Sequence, residues 1–219
     1  MRAARSRETV PGGERVFLVD DDAPVRRALT RLLRAAGLEV SSFPSANALL
    51  TALEAQEASC VVADLAMPGL TGLDLQDELA RRGLEVPVVF ISGHADVTSS
   101  VRAMRSGAVD FLEKPVSDVD LLQAIKRALA RNRERQAARR EKEILDARLA
   151  RLTPREHEVF ALVASGLLNK QVGYHLGTTE KTIKVHRARV MEKMEADSLA
   201  DLVRMAARLG ITGPPPRSS

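Results

Sequence analysis

The sequence is poor in cysteine and contains no long run of uncharged apolar residues. Cys60 is the only cysteine among 219 residues, which excludes an internal disulfide and a zinc site of four cysteines. It lies in an apolar run, so we expect a buried structural thiol. Residues 1–13 are polar and lack the apolar segment and small-residue cleavage site of a signal peptide. We therefore expect no membrane anchor and a cytoplasmic location.

Charge is distributed unevenly along the chain, although the net charge is only +4. Residues 14–125 carry 10 basic and 17 acidic side chains, a net charge of −7. Residues 126–151 carry 10 basic and 4 acidic side chains, and residues 152–211 carry 9 and 7, so these segments have net charges of +6 and +2. A basic carboxyl-terminal half indicates a polyanionic partner, because Lys and Arg near phosphates release condensed counterions.

The first part of the chain alternates short apolar runs with segments of helical periodicity. Five such strands and five helices predict a doubly wound α/β domain with a five-stranded parallel sheet, whose ligands bind beyond the carboxyl ends of the strands. The predicted strands are residues 16–19, 39–43, 60–63, 86–91 and 109–112. The predicted helices are residues 24–36, 46–53, 73–82 and 97–105, with a fifth that begins at Asp118.

The fifth helix continues to Leu149 without Gly or Pro. We expect a first domain over residues 14–131 and a solvated helical linker over residues 132–150. Ile144, Leu145 and Leu149 give the linker a modest apolar seam, so it is either a plain spacer or a pairing helix. The two ends of the chain, residues 1–13 and 212–219, are expected to be disordered.

Residues 151–211 predict a second, all-α domain of four helices. Thr153 and Glu156 form a capping box around Pro154, which indicates a helix start. A short helix then begins at Asn169, and after a glycine Thr179 caps a longer basic helix. A short helix, a tight turn and a longer basic helix are typical of a helix-turn-helix unit.

Polar side chains follow the predicted strands at the edge of the sheet where a ligand is expected. They are Asp20 and Asp21 after the first strand, Asp64 after the third, Ser92 after the fourth and Lys114 after the fifth. Clustered carboxylates repel one another, so this edge needs a cation, and an all-oxygen site favours Mg²⁺. Asp22 precedes Ala-Pro and is predicted to cap the first helix.

These residues resemble the receiver domain of bacterial two-component response regulators. The matching strings are Val19-Asp20-Asp21-Asp22, Asp64-Leu65-Ala66-Met67-Pro68-Gly69 followed by Gly72, Ile91-Ser92-Gly93-His94, and Gly107-Ala108-Val109-Asp110-Phe111-Leu112-Glu113-Lys114-Pro115. The resemblance implies that a histidine kinase phosphorylates Asp64 and that Ser92 and Lys114 contact the phosphoryl group. By the same resemblance, the Mg²⁺ ligands are Asp20, Asp21, Asp64 and the main-chain carbonyl of Ala66.

The resemblance also implies a switch in which Ser92 moves toward the phosphoryl group and Phe111 turns inward. Our hypothesis is that residues 97–112 then become a dimer face, so that phosphorylation favours a homodimer. No P-loop or kinase glycine loop is present, so the phosphoryl group comes from a separate protein.

A phosphatase or phosphotransferase of the haloacid-dehalogenase type is the competing enzyme hypothesis, because it also uses a strand-end Asp, Mg²⁺ and Lys. Enzymes of that type share a second Asp, which lies two residues after the first. Ala66 occupies that position here and has no acid–base group. We therefore expect a regulator and not an enzyme.

The second domain resembles the four-helix LuxR-type DNA-binding domain, and the whole chain is similar to the FixJ/NarL family of regulators. The matching strings are Leu152-Thr153-Pro154-Arg155-Glu156, Gly166-Leu167-Leu168-Asn169-Lys170 and Thr182-Ile183-Lys184-Val185-His186-Arg187. In that family the third helix enters the major groove of promoter DNA. The candidates near base edges are Lys184, Val185, Arg187 and Ala188, and the candidates for phosphate contacts are Lys170, Lys181, Arg189 and Lys193.

This resemblance implies a transcription regulator whose phosphorylation controls sequence-specific binding to double-stranded DNA, with RNA polymerase as a further candidate partner. The competing class is an adapter whose carboxyl-terminal helices bind another protein. Salt dependence distinguishes the two, since a DNA binder loses affinity steeply as salt rises.

Overall fold

The structure is a computed structural model that describes residues 14–93 and 97–211, with only the backbone described at residue 97. The two end segments that we expect to be disordered lie outside the described residues, as does His94 of the receiver motif. The chain divides after Arg135 into two compact units, which are called unit 1 and unit 2 in chain order. Among the described residues, no helix is both long enough and apolar enough to cross a bilayer.

Unit 1 contains a five-stranded parallel sheet with the strand order β2-β1-β3-β4-β5. The strands are β1 (Arg15–Val19), β2 (Glu39–Phe43), β3 (Cys60–Asp64), β4 (Val88–Ser92) and β5 (Asp110–Glu113). The helices are α1 (Ala23–Ala35), α2 (Ala46–Leu53), α3 (Gly72–Arg81), α4 (Val97–Arg105) and α5 (Asp118–Leu149). This strand order is that of a flavodoxin-like doubly wound domain, so the predicted fold class is confirmed.

The sheet is buried on both faces because its central strands alternate apolar side chains between two cores. Phe17 and Val61 pack in one core with residues of α2, α3 and α4, whereas Val16 and Val62 pack in the other with residues of α1 and α5. Cys60 is fully buried in β3, as expected, and its burial raises the pKa of the thiol.

Two local features of the sequence determine where elements begin. The predicted fourth strand began at residue 86, but β4 begins at Val88 because Pro87 has no N–H to donate to the sheet. The carbonyl of Pro87 still accepts a hydrogen bond from the Val61 N–H at 2.9 Å. At the start of α1, Asp22 accepts from the Val25 N–H at 3.1 Å and is the predicted N-cap.

Unit 2 contains four helices after α5, which are α6 (Pro154–Ala164), α7 (Asn169–His175), α8 (Glu180–Met194) and α9 (Leu199–Arg208). Thr153 and Glu156 form the predicted capping box at the start of α6. Phe160, Ile183 and Leu202 lie at the centre of the core, which joins α6, α8 and α9. Four helices with a short α7 before a longer α8 agree with the predicted helix-turn-helix arrangement.

The division between the units falls within α5, so the expected linker is not one solvated spacer. Leu121 and Ile125 belong to the core of unit 1, whereas Leu145 is 4% exposed and belongs to the core of unit 2. Ile144, which the sequence placed on the same seam, is 53% exposed. The apolar residue at position 145 therefore contributes to a core within unit 2.

Gly72 occupies a position with no room for a side chain. A Cβ atom there would lie 2.6 Å from the Asp64 carbonyl oxygen and 3.0 Å from Phe90. Gly72→Ala should therefore lower the free energy of unfolding of unit 1 by about 1–3 kcal/mol, as overpacking commonly does. Chemical denaturation checks this, with Gly93→Ala as the control because a Cβ atom at Gly93 meets nothing within 4 Å. Equal stability of the two variants would contradict the prediction.

Candidate functional site

The polar residues that follow the strands meet at the carboxyl edge of the sheet. β1 and β3 are neighbours, so Asp20, directly after β1, and Asp64, the last residue of β3, lie side by side. Asp20, Asp64 and Ser92 are all buried, with exposures of 1%, 6% and 1%. Buried carboxylates are unfavourable unless charge or hydrogen bonds compensate them, so the partners of these groups are informative.

Lys114 provides this compensation from the loop after β5. Its Nζ lies 2.9 Å from Asp20 Oδ2 and 3.1 Å from Asp64 Oδ1. The Lys114 N–H donates to the Ser92 carbonyl at 2.8 Å, which fixes the start of its side chain beside β4. One ammonium group therefore bridges the two buried carboxylates.

The pKa values of Asp64 and Lys114 reflect the same balance between burial and charge. Burial raises the pKa of Asp64, and the Coulombic repulsion of Asp20 and Asp21 adds to this, while the ion pair with Lys114 opposes it. Burial tends to lower the pKa of Lys114, but its contacts with Asp20 and Asp64 outweigh burial, so its pKa is raised. Lys114 is therefore a permanent cation at neutral pH.

The acidic residues form a group that can hold a metal ion. Asp20, Asp21 and Asp64 each offer a carboxylate oxygen, and these oxygens lie within 4.8 Å of one another. Asp64 Oδ1 is enclosed, and the ammonium group of Lys114 lies 3.1 Å from it. One ammonium group does not neutralise three convergent carboxylates, so these oxygens fit a hard divalent cation. Ala66 is exposed in the loop directly after β3.

The predicted switch residues lie on β4 and β5. Ser92 ends β4 and is buried at the pocket. Phe111 lies in β5, is half-buried, and packs against the core formed with α2, α3 and α4. On α4, Val101 and Met104 are 44% and 48% exposed and border a shallow, open apolar depression. The segment that we expect to form a dimer face thus carries exposed apolar side chains.

In unit 2, most of the predicted DNA-contact residues are exposed on α8. Lys181, Lys184, Val185, Ala188 and Arg189 are all exposed, and Lys184 forms an ion pair with Glu180 one helical turn earlier at 3.1 Å. Lys170 is exposed near the start of α7. These side chains give the helix-turn-helix unit an accessible basic surface.

Two of the predicted contact residues of α8 are paired with residues of other helices. Arg187 Nη1 donates to Asn169 Oδ1 at 3.2 Å and thereby joins α8 to the start of α7. Lys193 Nζ lies 2.6 Å from Glu156 Oε2, and Glu156 is only 2% exposed. Lys193 neutralises a buried carboxylate, so its ammonium group is less available to a DNA phosphate than those of the exposed lysines Lys170 and Lys181.

Sequence reasoning had not identified the partners of these residues or the exposure of Tyr174. Asn169 begins α7, and nothing in its local sequence indicates a contact with Arg187, 18 positions later. Tyr174 is 89% exposed, although it lies between the apolar residues Val172 and Leu176 in the sequence. Helical periodicity is a usable signal here, because Val172 and Leu176 lie four residues apart on one face and Tyr174 lies on the opposite face.

Comparison with known proteins supports both halves of this description. Residues 16–126 match the family of the response regulator receiver domain, and residues 150–206 match the luxR family of bacterial regulatory proteins. The receiver match implies a phosphodonor histidine kinase as a partner, and the luxR match implies binding to DNA.

Several relatives match nearly the whole chain. Nodulation protein W of Bradyrhizobium diazoefficiens is 50% identical over 197 residues, which cover 90% of this chain and 87% of the relative. The transcriptional regulatory protein FixJ of Azorhizobium caulinodans is 41% identical over 90% of this chain and 93% of the relative. The structure of the response regulator StyR, at 42% identity, covers 89% of this chain and 98% of StyR with a TM-score of 0.77.

The fold, the acidic pocket and the helix-turn-helix unit define a two-component response regulator. The chain belongs to the FixJ/NarL family, whose members join a receiver domain to a LuxR-type DNA-binding domain. The resemblance inferred from the sequence is thus confirmed, and the chain is a transcriptional regulator and not an enzyme.

The ion pair of the buried Glu156 with the partly exposed Lys193 should make unit 2 sensitive to acid. Hydrogen bonds from Lys193 and from the Thr153 N–H lower the pKa of Glu156 from 4.5 to about 2. A group with a lowered pKa stabilises the folded state fully above its unfolded pKa, and this contribution is lost as the pH falls. The loss should extend from about pH 4.5 to about pH 2.

Glu156→Gln should reduce this pH dependence because it removes the charge and keeps the shape. The measurement is NMR-monitored urea denaturation of the full chain at a series of pH values across that window. Glu158→Gln is the control, because Glu158 lies on the same helix and is exposed, with a surface ion pair to Arg155. If wild type and Glu156→Gln lost stability in parallel with falling pH, the pair would not be the cause.

Proposed function

We propose that Asp64 is the phosphoryl acceptor of the receiver unit and that its phosphorylation controls DNA binding by α8. The observation that carries this proposal is the position of Asp64, a buried carboxylate at the carboxyl end of β3 whose Oδ1 lies 3.1 Å from Lys114 Nζ. Asp20, Asp21, Asp64 and the Ala66 carbonyl would hold Mg²⁺, which is the hard cation that suits such ligands.

The chemistry follows from the charges at this edge. A carboxylate oxygen of Asp64 attacks the phosphorus in line, the bond to the donor imidazole breaks, and its electron pair remains on the imidazole nitrogen of the kinase. Lys114 stabilises negative charge on the transferring oxygens, and its contact with Asp64 keeps it at hydrogen-bonding distance. Mg²⁺, when bound, supplies further neutralisation of the same oxygens.

A change at the pocket reaches the surface through β4 and β5. The hydroxyl of Ser92 would bind the phosphoryl group in only one of two states, and this difference in binding is what shifts the equilibrium. Phe111 lies on the neighbouring strand, paired with Phe90, and its ring would turn inward in that state. Exposed Val101 and Met104 on α4 support a homodimer face next to this strand.

The DNA-binding surface is proposed to consist of α8 and the start of α7. Lys184, Val185 and Ala188 would approach base edges, and Lys170, Lys181 and Arg189 would contact phosphates. Arg187 is close enough to Asn169 to orient α8, and it remains a candidate near base edges. A regulator of this kind works where the bacterial chromosome is, in the cytoplasm, and RNA polymerase is a further candidate partner.

Phosphorylation of the full chain by acetyl phosphate and Mg²⁺ tests the acceptor. Intact-mass spectrometry should detect one added phosphoryl group on the wild type and none on Asp64→Asn. Asp22→Asn is the matched control, because Asn caps α1 as well as Asp does and should accept the phosphoryl group normally on Asp64. Phosphorylation of Asp64→Asn to the level of the wild type would contradict the assignment.

Charge reversal on α8 tests the DNA-binding surface. Lys184→Glu should abolish preference for a DNA duplex selected from a random pool by the wild-type chain, because the new carboxylate would be repelled by the DNA phosphates and by acceptor atoms on the base edges. The control is Lys142→Glu on α5, which changes the charge equally. Unchanged sequence preference in Lys184→Glu would exclude α8 as the recognition helix.

A further inference from the structure

The end of α8 differs from the ends of the other three helices in unit 2. Helices α6, α7 and α9 are each followed by a glycine with positive φ, namely Gly166, Gly177 and Gly210. Helix α8 ends at Met194, and the residue after it, Glu195, has a φ of 54° and is the only residue other than glycine with positive φ in the described part of the chain. A Cβ atom disfavours this conformation, so glycine is the usual residue at such a helix end.

The backbone around Glu195 does not require a side chain. The Ala196 N–H donates to the Met191 carbonyl at 2.9 Å, just as the Thr178 N–H donates to the Gly173 carbonyl at 2.9 Å after α7. Both are the hydrogen bonds of the same left-handed helix ending. Glycine at position 195 would therefore make the same turn with less strain, and the reason for a glutamate lies in its carboxylate.

The Glu195 carboxylate joins α8 to the end of α5. Arg148 Nη2 lies 2.5 Å from Glu195 Oε2, and Arg151 Nη1 lies 3.2 Å from Glu195 Oε1. Arg148 Nη1 also donates to the Met194 carbonyl at 3.2 Å. Arg148 thus contacts both a backbone carbonyl at the end of α8 and the residue that follows it, where a cation is favoured by the helix dipole.

The part of α5 that carries Arg148 is fixed within unit 2. Leu145, one turn earlier, is 4% exposed in the core of this unit, and Glu141 forms an ion pair with Arg208 of α9. Arg148 has the lowest exposure of the three charged side chains, 24% against 52% for Glu195. The segment of α5 that carries Arg148 is therefore held in place by packing, and Arg148 attaches one end of α8 to it.

We infer that Glu195 and Arg148 are positioning residues for DNA recognition, which hold the end of α8 so that its exposed face meets the bases in one orientation. This inference rests on the proposed function of α8 as the recognition helix. Hydrogen bonds to base edges need a fixed geometry, whereas phosphate contacts made by long side chains tolerate movement. The pair therefore contributes to sequence discrimination, the ratio of specific to non-specific affinity.

Glu195→Gly separates this role from a role in stability. The substitution removes the strain of positive φ, so the full chain should unfold at the same temperature as wild type or higher. The loss of a negative charge should also favour binding to any DNA. We nevertheless expect the affinity for a selected duplex to fall roughly three- to tenfold, a change typical of lost coupling between contacting groups. Affinity for a scrambled duplex should be unchanged or higher.

Arg148→Ala should also reduce discrimination, because it removes the same ion pair with Glu195 together with the contact to the Met194 carbonyl. The double variant should lose less than the sum of the two single variants, because the ion pair can be lost only once. Arg139→Ala is the control on α5. It loses the same charge, but its ion pair is with Glu143 of its own helix, so discrimination should remain at the wild-type level. Fluorescence anisotropy with both duplexes and a thermal unfolding curve for each variant provide the measurements.

The inference is overturned if Glu195→Gly retains wild-type discrimination, or if its unfolding temperature falls, because the residue would then have no role or a purely structural one. Failure of the proposed function gives a different result, since Lys184→Glu would then retain its sequence preference as well. A loss of discrimination in Lys184→Glu combined with none in Glu195→Gly would refute only the positioning role.

Discussion

The repulsion between carboxylates at one edge of the sheet is the constraint around which unit 1 is organised. Asp20 and Asp64 are both buried and lie on neighbouring strands, an arrangement that is unfavourable without positive charge. Lys114 provides that charge from the loop after β5. Its side chain reaches Asp20, directly after β1, and Asp64, at the end of β3. The order of the strands therefore brings together the charges that balance one another in the pocket.

The same constraint makes the pocket responsive. A site that already holds excess negative charge changes its electrostatics strongly when a metal ion or a phosphoryl group arrives. Lys114 and Ser92 are linked through the backbone, since the Lys114 N–H donates to the Ser92 carbonyl. The backbone of Lys114 is therefore attached to the end of β4, the strand next to the one that carries Asp64.

Much of the fold was predictable from the sequence because it depends on local patterns. Alternating apolar runs indicated the strands of unit 1, and the capping box of Thr153 and Glu156 indicated the start of α6. The residues of the pocket were predictable because parallel strands bring their carboxyl ends to one edge. Even the error at the start of β4 has a local cause, the missing N–H of Pro87.

The contacts that were not predictable join residues far apart in the chain. Lys193 meets Glu156 across 37 positions, and Arg148 meets Glu195 across 47. Other charged residues lie close to each of these positions in the sequence. Only the packing of the helices decides which of them form ion pairs. Leu145 was ambiguous for the same reason, since one apolar residue in a charged helix fits a spacer, a coiled coil or a small core.

The exposed tyrosine on α7 gives this protein an unusual spectroscopic property. The chain has one tyrosine and no tryptophan, so its intrinsic tyrosine emission arises from Tyr174 alone. That ring is 89% exposed on the helix that precedes α8, and all five phenylalanines contribute little at the wavelengths that excite tyrosine. Emission from the unlabelled protein therefore reports on one known position in the DNA-binding unit, with no background from the receiver.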